Sequence, residues 1–265
     1  MNSGWEPPPG EIMLLPDHVD IWRIRLDPAT LETARLYGLL SVQERGRAAR
    51  FTSKLRRNQF IAGRGMLRLL MGRYLDSDPA GFEFACSEHQ KPYLPRSAAG
   101  APVTFNITHS HEQLLIALAL ERDIGIDIEL IRHDVEFIKL ARRFFSRREC
   151  ALLESCDDSG LAAAFFSCWT RKEAFVKALG EGISFGLADF SVSVGAQDRR
   201  VALQIERDVP GSDTWSIINL DAGGHYAAAV AANGGDFTPR LWRSDLLSSP
   251  GPRSSIPPGA ENHRR

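Results

Sequence analysis

Ile124-Gly125-Ile126-Asp127-Ile128-Glu129-Leu130 is the stretch that decides the fold. Every even position carries Ile or Leu, and every odd position carries Gly or an acid. That is the period of a β-strand, whose side chains alternate between two faces. Ile124, Ile126, Ile128 and Leu130 point into a core, and Gly125, Asp127 and Glu129 point the other way, towards a cleft. Two carboxylates then lie side by side with no Lys or Arg between them. Unless the face is fully solvated, something positive belongs there, and a hard divalent cation with oxygen ligands fits. Gly125 on the same face leaves room for a ligand to approach the backbone. The alternative for this segment alone is an edge strand with a solvated acidic face.

Outward from that strand, the pattern switches between periods of two and 3.6. Upstream, VDIWRIRL (19–26) and VTFNIT (103–108) alternate, and LLIALAL (114–120) is continuously apolar, as a strand buried on both faces is. Between them, Asp27-Pro28 opens a helical stretch to Leu40. Residues 41–75 read as one or two helices, with Ser41 and Glu44 spaced as a capping box. Residues 82–85 suggest a short strand, and Lys91-Pro92-Tyr93 a loop. Downstream, helices are expected over 135–145, 146–154 and 161–179, the last stopped by Gly180 and Gly182. Strands follow at 190–194, 201–205, 215–220 and 226–231. The Ser-, Pro- and Gly-rich tail 244–265 cannot form a packed core and is expected to be disordered. The order is strand, helices, strands, then helices, strands. It predicts an α+β fold of two similar halves, residues 1–122 and 123–243, followed by the tail.

Two more segments carry candidate chemistry. On the helix 161–179, Trp169, Glu173 and Lys177 fall at i, i+4 and i+8 and share one stripe, which reads most simply as a core tryptophan and a surface ion pair. Phe105-Asn106-Ile107-Thr108-His109-Ser110-His111 is a strand running out at a polar tip, where ligand contacts gather. A third feature is charge. Ser41 to Arg73 holds eight Arg and one Lys against one Glu, about +8 locally. It is either a solvated helix face or an anion site for phosphates.

The bulk composition excludes several classes. With 265 residues, 43% hydrophobic and 25% charged, the chain reads as an ordinary globular protein. A net charge of -1 gives no reason to expect general nucleic-acid binding. Cys86, Cys150, Cys156 and Cys168 form no CxxC pair, which argues against a disulfide framework or zinc site. Neither a signal peptide nor a membrane-spanning apolar run is visible. A reduced, cytoplasmic protein is expected.

In order and spacing, these segments together resemble the phosphopantetheinyl transferase superfamily, its larger single-chain, surfactin-synthase-activating type. The family's G-(I/V)-D-(I/V)-E strand is Gly125 to Glu129. Its W-x-x-K-E-(A/S)-x-x-K helix is Trp169 to Lys177, and its N-(I/L)-(S/T)-H-S element is Asn106 to Ser110. A G-K-P element is matched by Gln90-Lys91-Pro92, with Gln for Gly, and a phenylalanine pair before an acidic helix by Phe144 to Glu149. The likeness spans about residues 41–230. It implies a pseudo-dimeric fold with coenzyme A in the cleft between halves. By position it makes Asp127, Glu129 and Glu173 the ligands of a magnesium ion, with manganese possible. Lys177 and His109 become contacts to the coenzyme A phosphates, and Lys91 lies near the nucleotide end. Arg47 and Arg64 become residues for the nucleotide 3′-phosphate.

The implied reaction moves 4′-phosphopantetheine from coenzyme A to a serine of an apo carrier protein (acyl or peptidyl), releasing 3′,5′-ADP. A cation on carboxylates neutralises the diphosphate. Lys177 and His109 take up charge on the leaving group. Glu173 or Glu129 is the candidate base for the serine proton. The motifs occur once each, so a monomer with one site is expected, with no nucleic-acid or membrane partner. The rivals are a Mg-dependent phosphodiesterase or nuclease, distinguished by its hydrolysis products, and an inactive coenzyme A-binding relative.

Overall fold

The computed structural model describes residues 4–27, 32–89, 91–95, 103–180, 185–195, 199–205 and 214–244. The strand that anchors the sequence reading runs Ile124–Leu130 (β6), and it lies in the second of two four-stranded sheets. The first sheet has the order β12-β1-β5-β4, with β1 His18–Arg25, β4 Val103–Ser110, β5 Gln113–Leu120 and β12 Thr238–Arg243. The second has the order β6-β11-β10-β8, with β8 Arg200–Val201, β10 Ser216–Leu220 and β11 Tyr226–Ala232. Two short hairpins complete the strands: Ala85–Cys86 (β2) with Pro92–Tyr93 (β3), and Phe190–Val192 (β7) with Leu203–Ile205 (β9). Pro92-Tyr93, expected in a loop, is therefore a strand.

Alternation sorts the side chains into three cores. On β5, Leu114, Ile116 and Leu118 face helices α1 (Thr33–Leu39), α2 (Val42–Ala49) and α3 (Lys54–Leu75), together with Trp22 and Ile24 of β1. Leu115, Ala117 and Ala119 face the opposite way and meet Ile124, Ile126 and Ile128 of β6, so a middle core lies between the sheets. Both faces of β5 are thus buried, which is why LLIALAL carries no polar residue. The third core lies between the second sheet and helices α4 (Phe137–Phe144), α5 (Arg147–Glu154) and α6 (Asp158–Leu179). The result is a mixed α+β fold with two sheets, each packed with helices.

Local signals set most boundaries. Ser41 and Glu44 form the expected capping box, and Ser146 with Glu149 forms a second at α5. Gly180, at φ 75°, stops α6 in the left-handed region that only glycine adopts without strain. The helix expected from Asp27 starts instead at Thr33, and residues 28–31 lie outside the described residues. The single strand expected over 201–205 is two, β8 pairing with β10 and β9 with β7. Strand β12 has no counterpart in the sequence reading. It runs parallel to β1, so Thr238–Arg243 lies in the first sheet although the expected division groups it with residues 123–243. Pro239 and its arginines hide the alternation, and an edge position tolerates the proline. Arg240 and Tyr74 both bond the buried Asp20 of β1. The tail from 245 lies outside the described residues. No helix among the described residues is long and apolar enough to cross a membrane.

Candidate active site

Helix α6 lies directly on β6, and Gly125 is what lets it. A Cβ at Gly125 would stand 2.1 Å from Ala174 O and 2.4 Å from Ala178 N. The space expected for a ligand at Gly125 is therefore filled by the backbone of α6. This close approach brings Glu173 and Lys177 over Asp127 and Glu129, and it corrects the open cleft expected at Asp127, which is only 3% exposed.

The free edge of β6 is satisfied by side chains. Antiparallel pairing with β11 occupies one edge. On the other, Ile126 N–H donates to Asn106 Oδ1 (3.0 Å) and Leu130 N–H to Ser110 Oγ (3.1 Å). Lys91 Nζ donates to Ile124 O (3.1 Å) and Lys177 Nζ to Ile126 O (3.3 Å). An unpaired edge would otherwise leave buried donors and acceptors unmet. The same β4 residues reach the acids, since Thr108 Oγ1 donates to Asp127 Oδ1 (3.1 Å) and Ser110 Oγ to Glu129 Oε2 (3.1 Å).

Lys177 pairs with Asp127 Oδ1 at 2.5 Å rather than with Glu173 one turn away. Asp127 Oδ2 is buried and has no hydrogen-bond partner. Burial, and then the charge of Asp127, raise the pKa of Glu129. Burial also raises that of Glu173, opposed by Lys177. As they stand, no three His, Cys, Asp or Glu side chains among the described residues are gathered to hold a metal. An orphaned carboxylate oxygen beside two half-buried acids whose charge is disfavoured is nonetheless a donor set that a hard divalent cation fits.

Of the remaining expected residues, His109 and Lys91 reach the two elements that carry the acids, whereas Arg47 and Arg64 meet at Phe60 on α2 and α3. His109 stands at the end of β4 with its side chain open to solvent, and partial desolvation of the ring, then the charge of Lys177, lower its pKa. Lys91 also donates to Ala178 O (3.1 Å) near the end of α6. Burial lowers its pKa to about 8, and it borders a cavity of 410 Å³ with Tyr93, Thr104 and Asp123. Arg47 and Arg64 both lie over the Phe60 ring, at 5.5 and 5.9 Å. The Arg64 side chain is buried to 11% exposure, its Nε 3.9 Å from Glu44 Oε1 and its Nη1 unpartnered. Much of the basic stretch is structural: Arg68 binds Glu44, Pro79 O and Ala80 O, Arg73 binds Pro9 O and Gly10 O, and Arg45 binds Gly38 O.

The family described as the 4′-phosphopantetheinyl transferase superfamily matches residues 123–231, from β6 through β11. The chain is 35% identical over 242 residues to the 4′-phosphopantetheinyl transferase HetI of Nostoc sp., covering 91% of this chain and 99% of that protein. The chain belongs to this superfamily. It is also 30% identical over 209 residues to the 4′-phosphopantetheinyl transferase Sfp of Bacillus subtilis, covering 78% of this chain and 88% of that one. A second Bacillus subtilis 4′-phosphopantetheinyl transferase is 32% identical over 206 residues, with the same coverage. The protein is a 4′-phosphopantetheinyl transferase, an enzyme that transfers phosphopantetheine to carrier proteins.

Two features of the transferase escaped the sequence reading. Thr108 and Ser110 touch the acids, and their only signal was alternation with Asn106. Lys172, beside Glu173 in the helix motif, is fully buried and pairs with the equally buried Glu149 at 2.8 Å. It also donates to Leu187 O and Phe190 O. This pair ties α6 to the start of α5 and to β7, and so fixes how α6 presents its next residue. Trp169 is partly buried and packs against the core on Phe144, Phe145 and Phe165.

Proposed function

We propose that the transferase takes its 4′-phosphopantetheine from coenzyme A and passes it to a serine hydroxyl of an apo acyl or peptidyl carrier, releasing 3′,5′-ADP. The observation that carries this reading is the unpartnered buried Oδ2 of Asp127, set beside Glu129 and under Glu173 and Lys177. Asp127, Glu129 and Glu173 would hold Mg²⁺, or Mn²⁺ in its place. When bound, that cation supplies neutralisation of the diphosphate and polarisation of the phosphorus under attack. Lys177 leaves Asp127 to donate to a phosphate oxygen, and His109, whose lowered pKa favours the neutral ring, donates its N–H beside it. The serine oxygen bonds to the pantetheine-side phosphorus, and the bond from that phosphorus to the ADP-side oxygen breaks. The serine proton goes to Glu173 or Glu129, each made a stronger base by burial.

Coenzyme A lies, in this reading, in a cleft between two pseudo-symmetric halves that meet near residue 123. Arg47 and Arg64 take the 3′-phosphate, and Lys91 lies towards the nucleotide end. The active species is a monomer, and nucleic acid and membrane have no part in it. The test is intact mass of a small panel of apo carriers incubated with coenzyme A and Mg²⁺. Gain of one phosphopantetheine per carrier with 3′,5′-ADP as co-product supports the reading. Free phosphopantetheine with unmodified carrier identifies a phosphodiesterase instead.

A further inference from the structure

β4 and β6 run side by side yet belong to different sheets, and the contact between them is built from the side chains of Asn106, Thr108 and Ser110. These three alternate along β4 with Ile107 and His109, and each is at least nine-tenths buried. Asn106 fixes only backbone. Thr108 shares Asp127 Oδ1 with Lys177. Ser110 differs from both, because its single hydroxyl makes one bond to backbone and one to an acid.

The direction of those two bonds is settled by chemistry. The Leu130 N–H can only donate, so Ser110 Oγ accepts from it at 3.1 Å. The Glu129 carboxylate, when ionised, can only accept, so the hydroxyl proton points to Oε2 at 3.1 Å. With Glu129 ionised neither bond can reverse, and the remaining neighbour of the hydroxyl, His111 Nδ1, stands farther off at 3.5 Å than Glu129 Oε2 at 3.1 Å. Glu129 is then held by its own strand's next amide through one oxygen atom of the neighbouring strand. We propose that Ser110 is a positioning residue for Glu129: it fixes the rotamer of that carboxylate for the divalent cation. The inference rests on Glu129 being a ligand, as in the function proposed above. Its physical basis is general, since groups that hydrogen-bond a ligating carboxylate set its geometry, and removing them costs roughly 10–100-fold in metal affinity or activity.

The test compares Ser110→Thr, which keeps the hydroxyl, with Ser110→Val, which keeps the shape and loses it. Ser110→Ala and Glu129→Gln complete the set. Two quantities are read on the full chain: Mn²⁺ binding by electron paramagnetic resonance without coenzyme A, and the Mg²⁺ concentration giving half-maximal carrier modification. Melting temperature is followed alongside. Ser110→Val and Ser110→Ala should each weaken Mn²⁺ and raise the Mg²⁺ requirement about tenfold, Ser110→Thr should restore both, and Glu129→Gln should lose at least as much. Equal losses in melting temperature for Val and Ala with unchanged cation dependence would make Ser110 a purely structural residue and overturn the proposal. If Glu129→Gln keeps wild-type dependence, Glu129 is no ligand, and the proposal falls together with that part of the site. Weakening by Glu129→Gln but not by Ser110→Val defeats the positioning role alone.

Discussion

Gly125→Ala adds one methyl group to the strand that carries the acids. That methyl would sit 2.1 Å from Ala174 O, against about 3.4 Å for ordinary contact, and 2.4 Å from Ala178 N. Both obstacles are helix backbone, so no side chain can turn away to make room. Helix α6 must withdraw from β6 by about an ångström, taking Glu173 and Lys177 with it. Overpacking of this kind costs about 1–3 kcal/mol and sometimes more. At about 2–4 °C per kcal/mol for a chain of this size, the melting temperature should fall by about 2–12 °C. The Lys177–Asp127 pair, at 2.5 Å, does not survive such a shift. Turnover should fall about 100-fold, the scale of loss for an ångström of misplacement at a reacting centre. The assays are thermal melting followed by circular dichroism and carrier modification followed by intact mass. A variant with wild-type melting and turnover would refute the claim that α6 seats its backbone on Gly125.

Further expectations concern neighbouring residues. Lys91 is pushed down to about 8 by burial, opposed by Asp123, so between about pH 8 and its unfolded value near 10.4 the unfolded chain holds a proton that the folded chain has released. Stability from this group therefore rises with pH across that window, and urea unfolding of Lys91→Met should lack the rise that wild type shows. Lys172→Met strands the buried carboxylate of Glu149 and should cost about 3–5 kcal/mol in urea unfolding, whereas Lys172→Met with Glu149→Gln should cost less than the two single changes added. Arg47→Ala and Arg64→Ala should weaken coenzyme A more than 3′-dephospho-coenzyme A in calorimetry, and equal effects on both ligands would remove the two arginines from the 3′-phosphate.

Sequence alone exposed the elements more fully than their contacts. Period-two runs gave β1, β4 and β6 nearly to the residue, because one buried face forces alternation, and short apolar runs gave β5, β10 and β11. Strand β12 stayed hidden because an edge strand has one exposed side and can carry Pro239, Arg240 and Arg243. Alternation put Asp127 and Glu129 on one face but could not say what covers it. Whether glycine makes room for a ligand or for a helix is a tertiary question, and at Gly125 it is α6 that enters. The same limit applied to charge. Lys177 read as the i+4 partner of Glu173, while its closest carboxylate lies fifty residues away in sequence on β6. Asn106, Thr108 and Ser110 were legible as a polar alternation, but nothing local reveals that they close the free edge of another strand.

A Mg²⁺ titration of carrier modification, wild type against Asp127→Ala, tests the site most directly. Asp127 holds a buried carboxylate oxygen without a partner at the centre of the site, so its loss should abolish most turnover and move any residual activity to much higher Mg²⁺. The variant should still fold, with a lower melting temperature because Lys177 loses its ion-pair partner. A folded variant with the wild-type rate and the wild-type Mg²⁺ dependence would take Asp127 out of the site, and the metal assignment of all three acids with it.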